Sequence, residues 1–408
     1  MTAAVNIYLD AFFVGNAWHD RAGNMFFKYY PGWLESAAAQ SVSLTLPLTP
    51  EVFSDIAVRP FLEHLLPDPE SRSRVAECLG IPEHDLLGLL AALGGDCPGR
   101  VSVCLPQYGP EHFASGVREL DARSLAALPL ALKECPLCAG DPEMRLCLPG
   151  AGTALPVVGY NDRLALPLGG RASTHVLKVP GGDQGKLENE ALCMTLAQML
   201  GLWVAEITRV PTTTETLLLV QRGDRHCVSQ GEVQKLGAES LAQALQRFGD
   251  KPMRPAGLCD GFQALARVGV APVRDQKRLV QWAAFNWLIG NTGASWEHVV
   301  LVQQGRGWSV APFFGLLSTA AQKGHHTATN AVSEAGTRVE TWLTRHPGAD
   351  WAAALDLPQK TIHAVVEQQA RGILRHMEQA LEALGSQGCM PDVAAYVTER
   401  VHNIQRAS

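Results

Sequence analysis

The 408-residue sequence reads as an α+β protein, with a mixed α/β amino-terminal half and a helical carboxy-terminal half. Three observations carry that reading. Short segments of alternating apolar and polar residues, separated by turn residues, fill the first hundred positions, the period-two pattern of half-buried strands. Beyond residue 250 the period changes: Ile362, Val366, Ala370, Ile373, Met377, Leu381 and Leu384 recur three and four apart, the stripe of a helix packed on a core. A hydrophobic content of 47% beside 18% charged residues suits a folded chain and excludes disorder.

The bulk numbers bound the partners. A formal charge of −6 gives no global basic field, which argues against nucleic-acid binding by the whole surface. No stretch of eighteen apolar residues exists to span a membrane. The amino terminus alternates at Val5, Ile7 and Leu9 and has no continuous apolar run, so no export signal is read and the cytoplasm is expected. The ten cysteines are then expected as reduced thiols. Cys135-Pro-Leu-Cys138 with Cys147 downstream is half a zinc site, since a structural site needs four ligands, and no metal is expected there.

In chain order, Asn6 to Leu9, Phe12 to Trp18 and Met25 to Tyr30 read as a small meander with a turn at Asp20 to Asn24. Ser43 to Leu48 is another alternating segment. Phe61 opens a helical region running to Leu79, and Asp85 to Leu93 is an amphipathic helix broken by the glycines that follow. Val101 to Leu105 reads as a strand, and residues 107–150, with several Pro and Gly, as a linker. Ser173 to Pro180 is a buried strand presenting Lys178. Asn189-Glu190 opens a helix from Ala191 to Leu200, with Gly201 as its cap. Leu217 to Val220 is a strand leading into Gln221-Arg222-Gly223-Asp224-Arg225. Gln276 to Ile289 is an apolar helix, followed by a polar loop to His298, a strand from Val299 to Gln303 and a second strand after a Gly305-Arg306-Gly307 turn. His325-His326 is an adjacent pair on a loop or surface rather than a metal pair.

The stretch from Phe285 to Ser318 resembles the catalytic loop and metal-binding turn of the HipA family, serine/threonine kinases that are the toxin halves of bacterial toxin–antitoxin pairs. Its frame is Phe285, Trp287-Leu288-Ile289-Gly290, Thr292, Ala311-Pro312 and Leu317-Ser318. The family pattern implies a catalytic Asp where this chain has Gly293. It implies a metal-binding Asn at His298 and a metal-binding Asp at Gly315. A kinase needs the first Asp to receive the hydroxyl proton, and the other two to hold magnesium on the phosphates. Glycine does neither, so no catalytic residue is expected intact.

The amino-terminal region is similar to the family's first subdomain at Val14-Gly15, Phe27-Lys28-Tyr29, Trp33-Leu34, Leu46-Pro47-Leu48 and Leu65-Leu66-Pro67. Arg145 to Gly152 resembles the loop that covers the phosphates. Gly150 and Gly152 are kept, Cys147 stands at the family's autophosphorylated Ser, and the charged end of the loop is lost at Gly152-Thr153-Ala154. Lys178 matches the lysine that touches nucleotide phosphates. Glu190 pairs with Lys178 or favours the helix start through the dipole. At the hinge where adenine docks, Gln221 replaces an acid and Gly223 an aromatic, while Asp224 and Arg225 remain. Lys178, Asp224, Gln221, Gly150 and Gly152 are thus the remnant of a nucleotide site.

The resemblance implies a two-lobed HipA-like kinase fold, with an extra subdomain over residues 1–106, an N-lobe-like region over 107–249 and a helical C-lobe over 250–408, all-α in the family pattern. It implies a pseudokinase that acts through a protein partner, either a HipB-like helix-turn-helix antitoxin or an active kinase. DNA would be reached only through that partner. The family's ATP and magnesium are not expected here as cofactors. The alternative is an active or remodelled kinase toxin using Glu297, His298 and Asp224, with a translation factor as substrate. A decaying homologue with no present role is the third reading.

Overall fold

The computed structural model describes residues 2–113, 115–150, 152–160, 163–229, 232–246, 258–305, 307–322, 347, 349–385 and 388–407. The chain forms two compact units, Met1–Gly181 with Val210–Glu239, and Gly182–Arg209 with Ser240–Ser408. Among the described residues no helix is long and apolar enough to cross a membrane.

In the first unit the expected meander is present as β1 (Ala4–Leu9), β2 (Phe12–His19) and β3 (Met25–Tyr29). With β4 (Val101–Cys104) they make an antiparallel sheet of order β3-β2-β1-β4. Val5, Ile7 and Leu9 point one way and are buried, as the alternation requires. The turn before β3 is set by Asp20, whose Oδ1 accepts the backbone N–H groups of Ala22 and Asn24 at 2.8 and 2.9 Å.

The helices α1 (Pro31–Leu34), α2 (Asp55–Glu63), α3 (Pro69–Leu79) and α4 (Leu86–Leu93) complete this first core. Asp68 and Asp85 cap α3 and α4 by accepting the N–H groups of Ser71 (3.0 Å) and Gly88 (3.1 Å). Two expectations change. The helical region from Phe61 to Leu79 is two helices, parted around Pro67, whose ring disfavours a helical conformation at the residue before it. The alternating segment 43–48 is a turn with a single Ser43–Leu46 bridge. Its polar groups go to Glu239, which accepts from Ser43 Oγ at 2.6 Å and from the Leu44 N–H at 3.1 Å.

Residues 107–150 are not a linker. They contain β5 (Gly116–Glu119) and α5 (Ala122–Glu134), capped by Asp121. Among the prolines that suggest a linker, Pro110 and Pro136 start short helical turns and Pro129 sits inside α5. Leu128 and Leu132 of α5 enter a second core with Leu155, Val157, Leu177 and Leu217. That core lies on a sheet built from β5, β6 (Ala154–Tyr160), β7 (Arg163–Leu168), β8 (His175–Lys178) and β10 (Thr216–Gln221), ordered β5-β7-β6-β8-β10. β9 (Ile207–Pro211), which returns the chain to this unit, follows on the edge. A hairpin of β11 (Arg225–Ser229) and β12 (Glu232–Lys235) comes next, and β13 (Ala238–Ser240) leads out.

A buried ion-pair network joins these two cores. Asp96, in the loop after α4, is fully buried. Its Oδ1 accepts from Arg225 Nη2 at 2.9 Å, and its Oδ2 from the Ser173 N–H and hydroxyl at 3.1 and 2.6 Å. Arg222 and Lys235 stand 3.5 and 3.7 Å away. Asp224 accepts from Arg222 Nε (2.9 Å), Arg225 Nη1 (2.7 Å) and the Gly99 N–H (2.8 Å). Burial by itself would raise the pKa of Asp96; Arg225, Arg222 and Lys235 outweigh it and hold the carboxyl below its ordinary value. The same balance, with Arg222 and Arg225 as the main cations, lowers that of Asp224.

The described residues of the second unit are mainly helical, with one hairpin. α6 (Gln184–Met199) starts seven residues before the expected Ala191. Glu190 is therefore mid-helix and buried, and the dipole explanation for it falls. α7 (Leu241–Gln246), α8 (Leu258–Val268) and α9 (Pro272–Ile289) follow, then the hairpin of β14 (Val300–Gln304) and β15 (Gly307–Val310). Further described helices are α10 (Thr319–Gln322), α11 (Ala349–Leu355), α12 (Gln359–Leu384) and α13 (Met390–Ala407). α12 packs on α6, α9 and α13 through the expected stripe, with Ile362, Val366, Ala370, Ile373 and Met377 buried. His325-His326 lies outside the described residues.

Removing the Asp96 carboxylate tests the network. Asp96→Ala leaves three buried cations facing one anion, and should lower unfolding stability by about 3–5 kcal/mol in chemical denaturation followed by tryptophan fluorescence. Both carboxylates have lowered folded pKa values, so their contribution is complete above the unfolded value near 3.8 and is lost as pH falls below it. The wild type should therefore lose stability below about pH 4, and Asp96→Ala should show a shallower acid slope. An unchanged denaturation midpoint in the variant would refute this account of the network.

Candidate functional site

In the first unit the glycine-rich turn and the lysine are neighbours. Lys178 pairs in register with Ala154 of β6 on one side and Leu218 of β10 on the other. The Val179 N–H donates to the Thr153 carbonyl at 2.8 Å, so the turn's end is bonded to the strand that carries the lysine. Gly150 is exposed with φ +61°, and a Cβ built there would meet nothing within 4 Å. Gly152 has φ +24°. Cys147, by contrast, is fully buried, and its thiol donates to the Leu65 carbonyl at 2.6 Å. The adjacent Cys97 thiol and burial hold its pKa well above the usual thiol value, so it is an inert core group.

Gln221 ends β10 opposite His175 and is half-buried. Asp224 and Arg225 sit inside the ion-pair network, where their charges are consumed by Arg222, Asp96 and backbone groups. The structure thus gives Asp224 a structural task. Asp96, Arg222 and Lys235 have no counterpart in the sequence reading. The one signal for them is a dense run of charge, Arg222 to Arg225, directly after an apolar strand.

In the second unit the polar loop hangs on α9. Gly290, in the left-handed region, closes that helix, and its N–H bonds back to Asn286 and Trp287. Arg400 donates to the Trp287 carbonyl at 3.0 Å. The Asn291 amide donates to Asn286 Oδ1 at 2.7 Å, and Asn286 to the Trp282 carbonyl at 2.8 Å. Asn291 Oδ1 accepts the Gly293 N–H at 3.2 Å, and Thr319 Oγ1 accepts the Thr292 N–H at 2.8 Å. Further along, Trp296 is buried and stacks on Trp282 at 5.8 Å between centroids; Phe313 also stacks on Trp282, at 6.0 Å. These three rings hold both loops, 291–298 and 313–318, on one helix.

The three replaced positions come out as follows. Gly293 is exposed, and a Cβ there would meet Thr319 Cγ2 at an ordinary 3.4 Å. Gly315 has φ +68°, and a Cβ there would lie 3.6 Å from His298 Cδ2. Positions 298 and 315 are therefore side by side, where two ligands to one cation would stand. His298 is held by a short turn: its Nδ1 accepts the Ser295 N–H at 3.2 Å and lies 3.0 Å from Ser295 Oγ. Ser318 is clamped by Asn189 of α6, which donates to its carbonyl at 2.9 Å and accepts its N–H at 2.8 Å. Among the described residues no group of three or more His, Cys, Asp or Glu side chains is placed to hold a metal.

Residues 5–104 match the HipA N-terminal domain and residues 153–384 the HipA-like C-terminal domain. A Sinorhizobium fredii protein named "Putative kinase Y4mE" is 34% identical over 331 residues, 79% of each chain. The serine/threonine-protein kinase toxin HipA of Shewanella oneidensis is 25% identical over 332 residues, 78% of this chain and 75% of that one. A solved structure of the Shewanella oneidensis toxin–antitoxin system, HipA with HipB and its operator DNA, has the same fold. Its TM-score is 0.75 at 20% identity, over 98% of this chain and 96% of that one. With both domains matched in order, and the second covering more than half of its length, the chain belongs to the HipA family.

Proposed function

We propose that this protein is a HipA-like pseudokinase, which acts by binding a protein partner and does not transfer phosphate. One observation carries the reading. The two loops that should present the acids are fully pinned, yet positions 293, 298 and 315 offer no carboxylate or amide oxygen. Magnesium takes oxygen ligands in near-octahedral geometry. The imidazole of His298, with Nδ1 already engaged by Ser295, does not fit it. No residue at position 293 can receive a hydroxyl proton. The burial of Asp224 also removes one acid that a remodelled enzyme would need.

The partner in this reading is a HipB-like helix-turn-helix protein, with DNA contacted through it; an active kinase is the other candidate. Support comes from the Shewanella oneidensis HipA structure, which is a complex with HipB and its operator DNA. The described cysteines are free thiols, which suits the cytoplasm as the compartment. Mixing the purified chain with the product of a small helix-turn-helix gene encoded beside it should give a stable complex by size-exclusion chromatography. Failure of the two to co-elute would remove the antitoxin-type partner.

Two measurements test the loss of chemistry. Calorimetry should show no magnesium-dependent ATP binding in the low micromolar range; such binding would sink the proposal. Labelled ATP should yield no phosphorylated protein, from the chain itself or from cell extract. Product that disappears in Lys178→Ala would replace the pseudokinase with a remodelled kinase, because a contaminating activity would ignore Lys178. Restoring acids is also expected to be costly at one position. Gly315→Asp forces a side chain into the left-handed region and should lower stability by about 1 kcal/mol, whereas Gly293→Asp should be nearly neutral. Denaturation curves of the two variants that coincide would count against this contrast.

A further inference from the structure

In the first unit the end of α3 is fastened to the end of α5. Arg74 Nη1 donates to the Lys133 carbonyl at 3.1 Å, and one turn later the Cys78 thiol donates to the Glu134 carbonyl at 3.8 Å. The next residue, Cys135, caps α5, its N–H donating to the Ala131 carbonyl at 2.8 Å. The thiols of Cys78 and Cys135 are in hydrogen-bond contact. The Gly140 N–H also donates to Cys135 Sγ, at 3.2 Å.

A second thiol pair in the same unit shows what this one has in addition. Cys97 and Cys147 also touch, but both are fully buried in the first core, where no oxidant arrives. Cys78 and Cys135 are only half-buried, packed against the edge of that core. Oxidation needs access and a sulfur that can carry negative charge, and a backbone N–H aimed at Cys135 supports that charge. Burial, and then the Cys135 thiol beside it, push the Cys78 thiol up to about 12. Cys135 is therefore the attacking sulfur, and Cys78 the thiol that resolves it.

We propose that Cys78 and Cys135 are a peroxide-sensitive dithiol, whose disulfide staples α3 to α5. The Cys135 thiolate attacks one oxygen of hydrogen peroxide. An S–O bond forms, the O–O bond breaks, and the hydroxide released takes the proton that Cys135 gave up and leaves as water. The Cys78 sulfur then attacks the sulfur of the Cys135 sulfenic acid. The S–S bond forms, the S–O bond breaks, and the Cys78 proton leaves with the second water. Two thiols are oxidised and one peroxide is reduced to two waters. The bond closes a loop of more than fifty residues and ties a helix of the first core to a helix of the second, in parallel with the Asp96 network. Neither thiol belongs to the loops at 293, 298 and 315, so the inference stands whether or not the chain transfers phosphate.

The test treats the full chain with hydrogen peroxide, removes the excess with catalase, alkylates the remaining thiols in denaturant and maps the peptides by mass spectrometry. The expected product is a linked Cys78–Cys135 peptide, two hydrogens lighter than the separate pair and split by dithiothreitol, with Cys97 and Cys147 still alkylated. The oxidised chain should melt about 5 °C or more above the reduced one, and dithiothreitol should reverse the rise. In Cys78→Ser the Cys135 sulfenic acid has no partner and should be trapped by dimedone; if that variant fails to fold, the wild-type peptide map decides alone. A Cys135–Cys138 link in place of the expected one overturns the proposal. So does a Cys78 that is still alkylated after peroxide has consumed the exposed Cys227. A Cys78–Cys135 link that leaves the melting temperature unchanged overturns the staple.

Discussion

The first unit depends on one buried carboxylate. Asp96 lies in a loop of the first core, and the groups it holds come from the second: Ser173 before β8, Arg222 and Arg225 after β10, and Lys235 at the end of β12. Taken out of water singly, each of these charges would cost several kcal/mol. Together they offset one another, with further bonds from the Gly99 N–H and to the Cys97 carbonyl, and Arg225 Nε left without a partner. Such a network is directional in a way that apolar contact is not. It fixes how the meander and the larger sheet meet, and with it the placement of Lys178.

The second unit rests on a different physics. Trp282, Trp296 and Phe313 form a stack at the centre of α9 and its two loops. Polar chains continue from it: Trp282 to Asn286 to Asn291, and Asn189 to Ser318. Every one of these groups is buried, so changing any of them opens a void or strands a polar atom. Gly293 and Gly315 carry no such load, because they face solvent or a half-open notch. A scaffold of this kind tolerates loss of its acids while its loops stay in place. Fold and chemistry are separable properties here.

The strands of the meander, α4, β10, the β14–β15 hairpin and α12 were legible in the sequence, because each repeats an apolar period long enough to dominate its neighbours. That a Cβ at Gly315 would lie 3.6 Å from His298 Cδ2 came from the structure. Local punctuation misled elsewhere. Pro129 lies within α5, in a stretch whose prolines suggested a linker, and the alternation of 43–48 became a turn because Glu239, nearly two hundred residues away, takes its polar groups.

By itself the sequence determined the elements with a sustained burial period, since that period acts over a few residues, and it determined the missing side-chain oxygens, since a glycine has no side chain in any fold. Tertiary structure alone decided what the charges do. Asp224 read as part of a nucleotide remnant, yet it pairs with Arg222 and with Arg225, which itself closes onto Asp96 more than a hundred residues earlier. Glu190 read as a helix start, yet α6 begins at Gln184 and buries it. A charge takes its meaning from the partners and the dielectric around it, and both are set only when distant segments meet.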